Sequence, residues 1–186
     1  MSKAFTKEGD GEDEDRDEPD PLPANVKNLV TLEGHAVLVK EFNFLLKEER
    51  PRITEIVSWA AGNGDRSENG DYIYNKKRLR EIDRRIRYLT KRLDDIEIVD
   101  PNLQQGLEQV FFGATVTYAR EDNSEHTIKL VGIDEANLDE GKVNWMSPIG
   151  RALLKSRVGD TVEVRTDTGR ETIEVVSIKY LIPPQA

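Results

Sequence analysis

Tyr72, Asn75, Leu79, Ile82, Ile86, Leu89, Leu93 and Ile96 recur at alternating spacings of three and four residues. A seam of this kind, unbroken over more than three heptads, requires a partner helix to cover it. The partner lies upstream. Thr31 is placed to N-cap a helix in which Leu38, Phe42 and Leu45, then Ile53, Ile56 and Ala60, follow the same period. Pro51 interrupts that helix and removes one bond to the carbonyl four residues back, so a bend near Glu48 is expected rather than a stop. Asn63 and Gly64 then supply turn chemistry. Two helices of ~25 residues joined by a short turn run antiparallel, each roughly 40 Å long. The expected object is a finger, and its end is the stretch GNGDRSENGDY, residues 62–72, which carries Asp65 and Glu68.

Beyond Asp100-Pro101 the period changes from helical to alternating. VFFGATVTYA and HTIKLVGI flank a polar turn and predict a hairpin. Ser147 as N-cap, Pro148 at the first helical position and Gly159 beyond the end mark a short helix. TVEVRTDTGRETIEVVSIKYL predicts a second hairpin turning at Asp167-Thr168-Gly169. The fold class is therefore α+β: an antiparallel helical coiled coil over residues 28–103, then a small antiparallel β domain with one helix over residues 104–186. Residues 1–27 form an acidic segment that buries almost nothing and is expected to be disordered.

Composition narrows the function. The absence of cysteine excludes disulfides, thiolate zinc sites and a thiol nucleophile. No apolar run reaches the ~18–20 residues of a membrane span, and no basic-then-apolar leader opens the chain, so a soluble cytoplasmic protein without a membrane partner is expected. Phosphate-cradling glycine loops, H-E-x-x-H and G-x-S-x-G are missing, and His35 and His126 stand alone. The chain does not read as an enzyme in its own right.

The net charge of −9 hides an asymmetry. Residues 1–24 hold nine acids and three bases, whereas residues 72–92 hold nine bases and two acids. Asp13, Asp15 and Asp17 do not make a calcium loop, because Glu18 and Ala24 stand where an EF-hand needs glycine and glutamate. On the second helix Lys77, Arg80, Arg84, Arg87 and Lys91 fall opposite the seam in a stripe roughly 21 Å long. The first helix mixes its signs, four bases to four acids between Lys40 and Glu55. A one-signed stripe favours an anionic partner, and without interleaved aromatics it suits a nucleic-acid backbone better than bases.

Two readings of Asp65 and Glu68 stand side by side. An acid followed three residues later by Glu is a variant of the capping box that starts a helix, and residue chemistry alone favours that role. Alternatively, two exposed carboxylates are an incomplete magnesium site, completed when another active centre supplies further ligands, as in two-metal phosphodiester chemistry.

EERPRITEIVSWAAGNGDRSENGDYIYNKKRLREIDRRIRYL, with LVTLEGHAVLVKEF before it and SPIGRALL after it, resembles the bacterial Gre transcript cleavage factors, GreB more than GreA. The resemblance spans about residues 28–183. It implies an N-terminal antiparallel coiled coil followed by a domain similar to FKBP prolyl isomerases. It also implies a monomer that docks on bacterial RNA polymerase through that second domain, with Ser147, Pro148 and Ile149 as docking candidates. The finger would reach the active centre through the secondary channel. There Asp65 and Glu68 would help hold a catalytic Mg2+ beside the polymerase's own aspartates, so that the polymerase cleaves backtracked RNA. Lys76, Lys77, Arg80 and Arg84 would contact the extruded RNA 3′ end. A relative that binds the channel without stimulating cleavage is the alternative, and prolyl isomerase activity is a third possibility. Two features depart from the family pattern. Gly70 replaces the alanine usual in S-E-N-A-D-Y, and the acidic segment is additional. Residue chemistry reads that segment as a passive solvated tail, with competition for the basic helix as the alternative.

Overall fold

The computed structural model describes residues 26–63, 68–166 and 169–180. Asp65, the acidic N-terminal segment and the Asp167-Thr168 turn lie outside them.

Thr31 ends a short strand, β1 (Asn28–Thr31), and begins helix α1 (Leu32–Phe44) by accepting a bond from the Gly34 amide at 3.0 Å. Buried positions run Leu38, Leu45, Ile53 and Ala60. The first and last intervals are one heptad, but Leu45 to Ile53 contains one residue more. That extra residue is absorbed by a π-helical turn, Leu45–Glu49, closed by the Arg50 amide bonding to the Leu45 carbonyl. A π turn bonds five residues back and so rotates the following face into line. The irregularity expected near Glu48 thus takes the form of a widened turn, and Pro51 falls in the first turn of α2 (Arg50–Ala61), where a missing N–H is tolerated.

The returning helix, α3 (Gly70–Asp94), buries Ile82 and Leu89 and packs Leu79, Ile86 and Leu93 beside them against Leu38, Leu45 and Ile53. Ile96 does not extend the helical seam. The helix closes at Asp94, and Ile96 opens β2 (Ile96–Val99), which pairs in parallel with β1 in register Asn28↔Ile96. The two strands tie the start and end of the finger together at its base.

The second half is a five-stranded sheet in the order β5-β4-β3-β7-β6. Strands β3 (Thr115–Arg120) and β4 (Glu125–Val131) make the first expected hairpin; β6 (Thr161–Thr166) and β7 (Gly169–Lys179) make the second. Strand β5 (Lys142–Asn144), which the alternating pattern did not reveal, joins β4 in parallel at one edge. Val116, Tyr118, Ile128, Leu130, Ile173 and Val175 line one buried face, covered by Leu153 of helix α4 (Pro148–Leu153). That helix ends at Leu153 with Lys155 left-handed (φ 68°), so Gly159 (φ 88°) serves the turn before β6 and not the helix.

A polar joint connects finger and sheet. The Glu135 carboxylate accepts from the backbone amides of Thr31 and Gly132, each at 2.9 Å, and from the Thr31 hydroxyl. Gly34 packs directly on it; a Cβ there would occupy the carboxylate's place. Nearby, Tyr88 of α3 donates to Asp134, accepts from Arg92 at 3.1 Å, and has the guanidinium carbons of Arg85 and Arg92 at 5.0 and 5.3 Å from its ring centre. Arg92 and Asp134 also pair at 3.4 Å with both side chains nearly buried.

Gly34→Ala should cost about 1–3 kcal/mol through overpacking against a carboxylate held by three donors. Gly70, with open space around its Cβ position, should instead gain about 0.4–1 kcal/mol on Gly70→Ala. Thermal or urea unfolding of the two variants checks both signs. Burial, then the Asp134 bond, holds the Tyr88 pKa above its usual value of 10.0. The folded protein therefore keeps that proton more tightly than the unfolded chain. The resulting stability is complete below the unfolded pKa and is lost as pH rises through the folded one. Tyr88→Phe should flatten the alkaline end of the stability profile, measured by urea unfolding across that range.

Candidate functional site

The end of the finger is organised by one side chain. Asn69 caps α3, its amide oxygen accepting from the Tyr72 amide at 3.1 Å. Its amide nitrogen donates back to the carbonyls of Ala60 at 2.9 Å and Asn63 at 3.1 Å. A single residue thus starts α3 and ties it to the last turn of α2. The expectation that Asp65 and Glu68 cap the second helix is corrected: Asn69 does so, because Asx side chains reach the amide three residues on with little strain. Sequence reading passed over Asn69 although the signal was there, an Asn directly before the first helical residues.

Glu68 is exposed one residue before this clamp, and among the described residues no group holds its carboxylate. Asp65 lies outside the described residues. Among the described residues no three carboxylate or imidazole groups come together in a metal-binding cluster. Trp59, Ile73 and Tyr74, near the same end, are exposed.

The nine bases of residues 72–92 divide by heptad position. Arg78, Arg85 and Arg92, spaced by seven, turn toward acids: Arg78 toward Glu81 at 3.4 Å and Glu49 at 3.9 Å, Arg85 in a bidentate pair with Glu41 at 2.7 Å, and Arg92 toward Asp134. Lys77 and Lys91, one heptad either side of the half-buried Arg84, are exposed, as are Arg80 and Arg87. Lys76 is half-buried, its ammonium 5.7 Å from the centre of the Tyr72 ring. Both acids of the stretch are engaged, Glu81 by Arg78 and Asp83 by Arg50 at 2.7 Å.

In the sheet domain Ser147 caps α4, accepting from the Gly150 amide at 3.1 Å. Pro148 is exposed and Ile149 packs at the border of the core. These three residues lie together at the start of α4, and the close approach of Gly150 to the carbonyls of Trp145 and Asn144 leaves no room there for a Cβ.

Two family models match the chain: "Transcription elongation factor, N-terminal" over residues 28–98 and "Transcription elongation factor, GreA/GreB, C-term" over residues 104–180. The transcription elongation factor GreB of Neisseria meningitidis serogroup B is 52% identical over 160 residues, covering 86% of this chain and 98% of its own. GreB of Pseudomonas putida is 48% identical over 153 residues, covering 82% and 94%. Among solved structures, GreA factor homolog 1 of Thermus thermophilus covers 82% of this chain and 99% of its own, at 24% identity and a TM-score of 0.39.

Asn69→Ala removes a helix cap and both ties to α2, and should cost about 0.5–2 kcal/mol. Hydrogen exchange at the Tyr72 and Ile73 amides should accelerate far more than at Leu89; equal change at both positions would mean that the clamp is not local.

Proposed function

The chain belongs to the GreA/GreB family of transcription elongation factors, and from this we propose that it acts on bacterial RNA polymerase through the secondary channel, stimulating cleavage of backtracked RNA. Such cleavage gives an arrested complex a new RNA 3′ end from which to resume. The observation that carries the reading is the exposed Glu68 beside the Asn69 clamp. Asn69 performs the capping, so the acid has no structural duty among the described residues, yet it directly precedes the residue that does.

The donor set fits a weak magnesium site. Two carboxylates, Asp65 and Glu68, are what a hard cation accepts when the remaining oxygens come from water, phosphate or another protein. With no third acid or imidazole beside Glu68 among the described residues, completion falls to the polymerase's aspartates. A Mg2+ ion there supplies charge stabilisation and an activated water for phosphodiester hydrolysis. The chain's own residues do the positioning. Asn69 fixes the start of α3 directly after Glu68. Lys76, Lys77, Arg80 and Arg84 offer positive charge along the path of the extruded RNA. The region of Ser147, Pro148 and Ile149 meets the polymerase at the channel rim. The hydrolytic centre is the polymerase's, and this chain completes it as a monomer acting in the cytoplasm.

Adding the protein with Mg2+ to a stalled, backtracked elongation complex should release a short 3′ RNA fragment. Polymerase binding without release would support the alternative, a channel regulator that does not stimulate cleavage. Asp65→Asn and Glu68→Gln should each lower the cleavage rate at least ~100-fold, the scale of lost electrostatic stabilisation at a reacting centre, while polymerase binding is kept. Lys77→Glu combined with Arg84→Glu should weaken RNA engagement most at low salt, the mark of phosphate contact.

A further inference from the structure

Two exposed aromatic side chains near the end of the finger stand on one flank, and the packing of the helices puts them there. Trp59 is 66% exposed and Tyr74 70% exposed. The Glu49 carboxylate pairs with Arg52 at 2.9 Å and with Arg78 at 3.9 Å, so these arginines, one from each helix, share a flank. Trp59 follows Arg52 by seven residues and Tyr74 precedes Arg78 by four. Both spacings keep a side chain on the same face of its helix. Their level is set by the ion pair of Arg50 and Asp83 at 2.7 Å. Trp59 lies nine residues beyond Arg50 and Tyr74 nine before Asp83. At equal rise both stand about 13 Å from that pair toward the tip. The indole and the phenol are therefore neighbours on helices whose axes pack about 8–10 Å apart.

Among the described residues, no ring stacks on Trp59 or Tyr74 and no cation lies over either. Their rim is charged. Lys77 is exposed one turn from Tyr74. Glu55 and Asp71 are exposed one turn from Trp59 and Tyr74 respectively. An ammonium suits a phosphate, and carboxylates suit the amino groups at base edges. An aliphatic protein surface would leave all three charges unmatched. An unpaired strand matches them, with bases on the rings and backbone passing Lys77, because every base has a π-face. The basic stripe read alone has no interleaved aromatics. Packing supplies them, Trp59 from the opposite helix and Tyr74 from the turn before Lys77.

We propose that Trp59 and Tyr74 form a stacking platform for unpaired nucleobases, with Lys77 taking an adjoining phosphate. The platform holds a single strand near the same end of the finger as Glu68, and it passes over a duplex, whose bases already stack on one another. That the strand is extruded RNA rests on the function proposed above.

Trp145 is the other tryptophan of the chain, so in full-length Trp145→Phe the fluorescence reports Trp59 alone. Oligouridylate should quench it, whereas a strand of equal length without bases should not. Tyr74→Ala should weaken oligouridylate binding about 5- to 150-fold, the scale of one lost stack, and Tyr74→Phe should restore it. Lys77→Gln should reduce the salt dependence of binding. No quenching, equal quenching by the base-free strand, or unchanged affinity in Tyr74→Ala would overturn the platform. So would Trp59→Ala and Tyr74→Ala variants that keep their strand affinity but bind RNA-free polymerase more weakly, because the flank would then be a protein contact. On a backtracked complex both variants should slow RNA cleavage while binding to RNA-free polymerase is kept. A chain that oligouridylate quenches but that releases no RNA fragment would refute the proposed function and leave the platform standing.

Discussion

Every function a finger performs at its end depends on how its base is held, and here the base is held by a carboxylate. Glu135 sits in a short turn after β4, yet its carboxylate accepts three bonds, two from Thr31 and one from the Gly132 amide, and lies against Gly34. Thr31 simultaneously caps α1. One acid thus fixes where the first helix begins and how that helix meets the sheet. A carboxylate accepting backbone amides resists displacement because each lost bond strands a partly buried charge. Gly34 and Gly132 are the two positions where backbone must approach closely enough for this to occur. The Tyr88–Asp134–Arg92 cluster adds the second point of attachment on α3, and two points on two helices hold the hairpin against rotation.

From that base the long seam carries rigidity outward. The π turn corrects the one place where the first helix falls out of phase, so the same face meets α3 on both sides of Pro51. At the far end Asn69 joins the two helices through three bonds. The finger is therefore tied at both ends and packed between them. Charge is distributed with the same economy. Bases at one heptad position are used internally, and those on the outward face keep the helix positive. That sorting follows from geometry: Arg78, Arg85 and Arg92 flank the seam and face acids of the first helix or of the sheet domain, whereas Lys77 and Arg87 are exposed.

Much of this was legible because it is local or periodic. Heptad spacing specified α3 and its partner, Thr31 and Ser147 announced their helices by residue type, and both hairpins followed from alternation. Asn69 was equally readable and was overlooked beside the more conspicuous acids. Other features left no trace. Ile96 continues the apolar period perfectly, but β1 offers it a strand partner, and pairing overrides periodicity. Strand β5 is three residues long, too short to alternate, and exists only because β4 presents an open edge.

The sequence by itself determined the two helices, the strands of both hairpins, the charge of each face and the family, since all of these depend on residues near one another or on motifs read in order. Only the tertiary structure decided which acid caps nothing and stands exposed, and which arginines are already engaged. It also decided that Glu135 and Asp134, about a hundred and about fifty residues from their partners, join finger to sheet. Contacts of that separation carry no spacing rule. They arise when the folded surfaces meet, and a carboxylate finds its donors only after the backbone has brought them within reach.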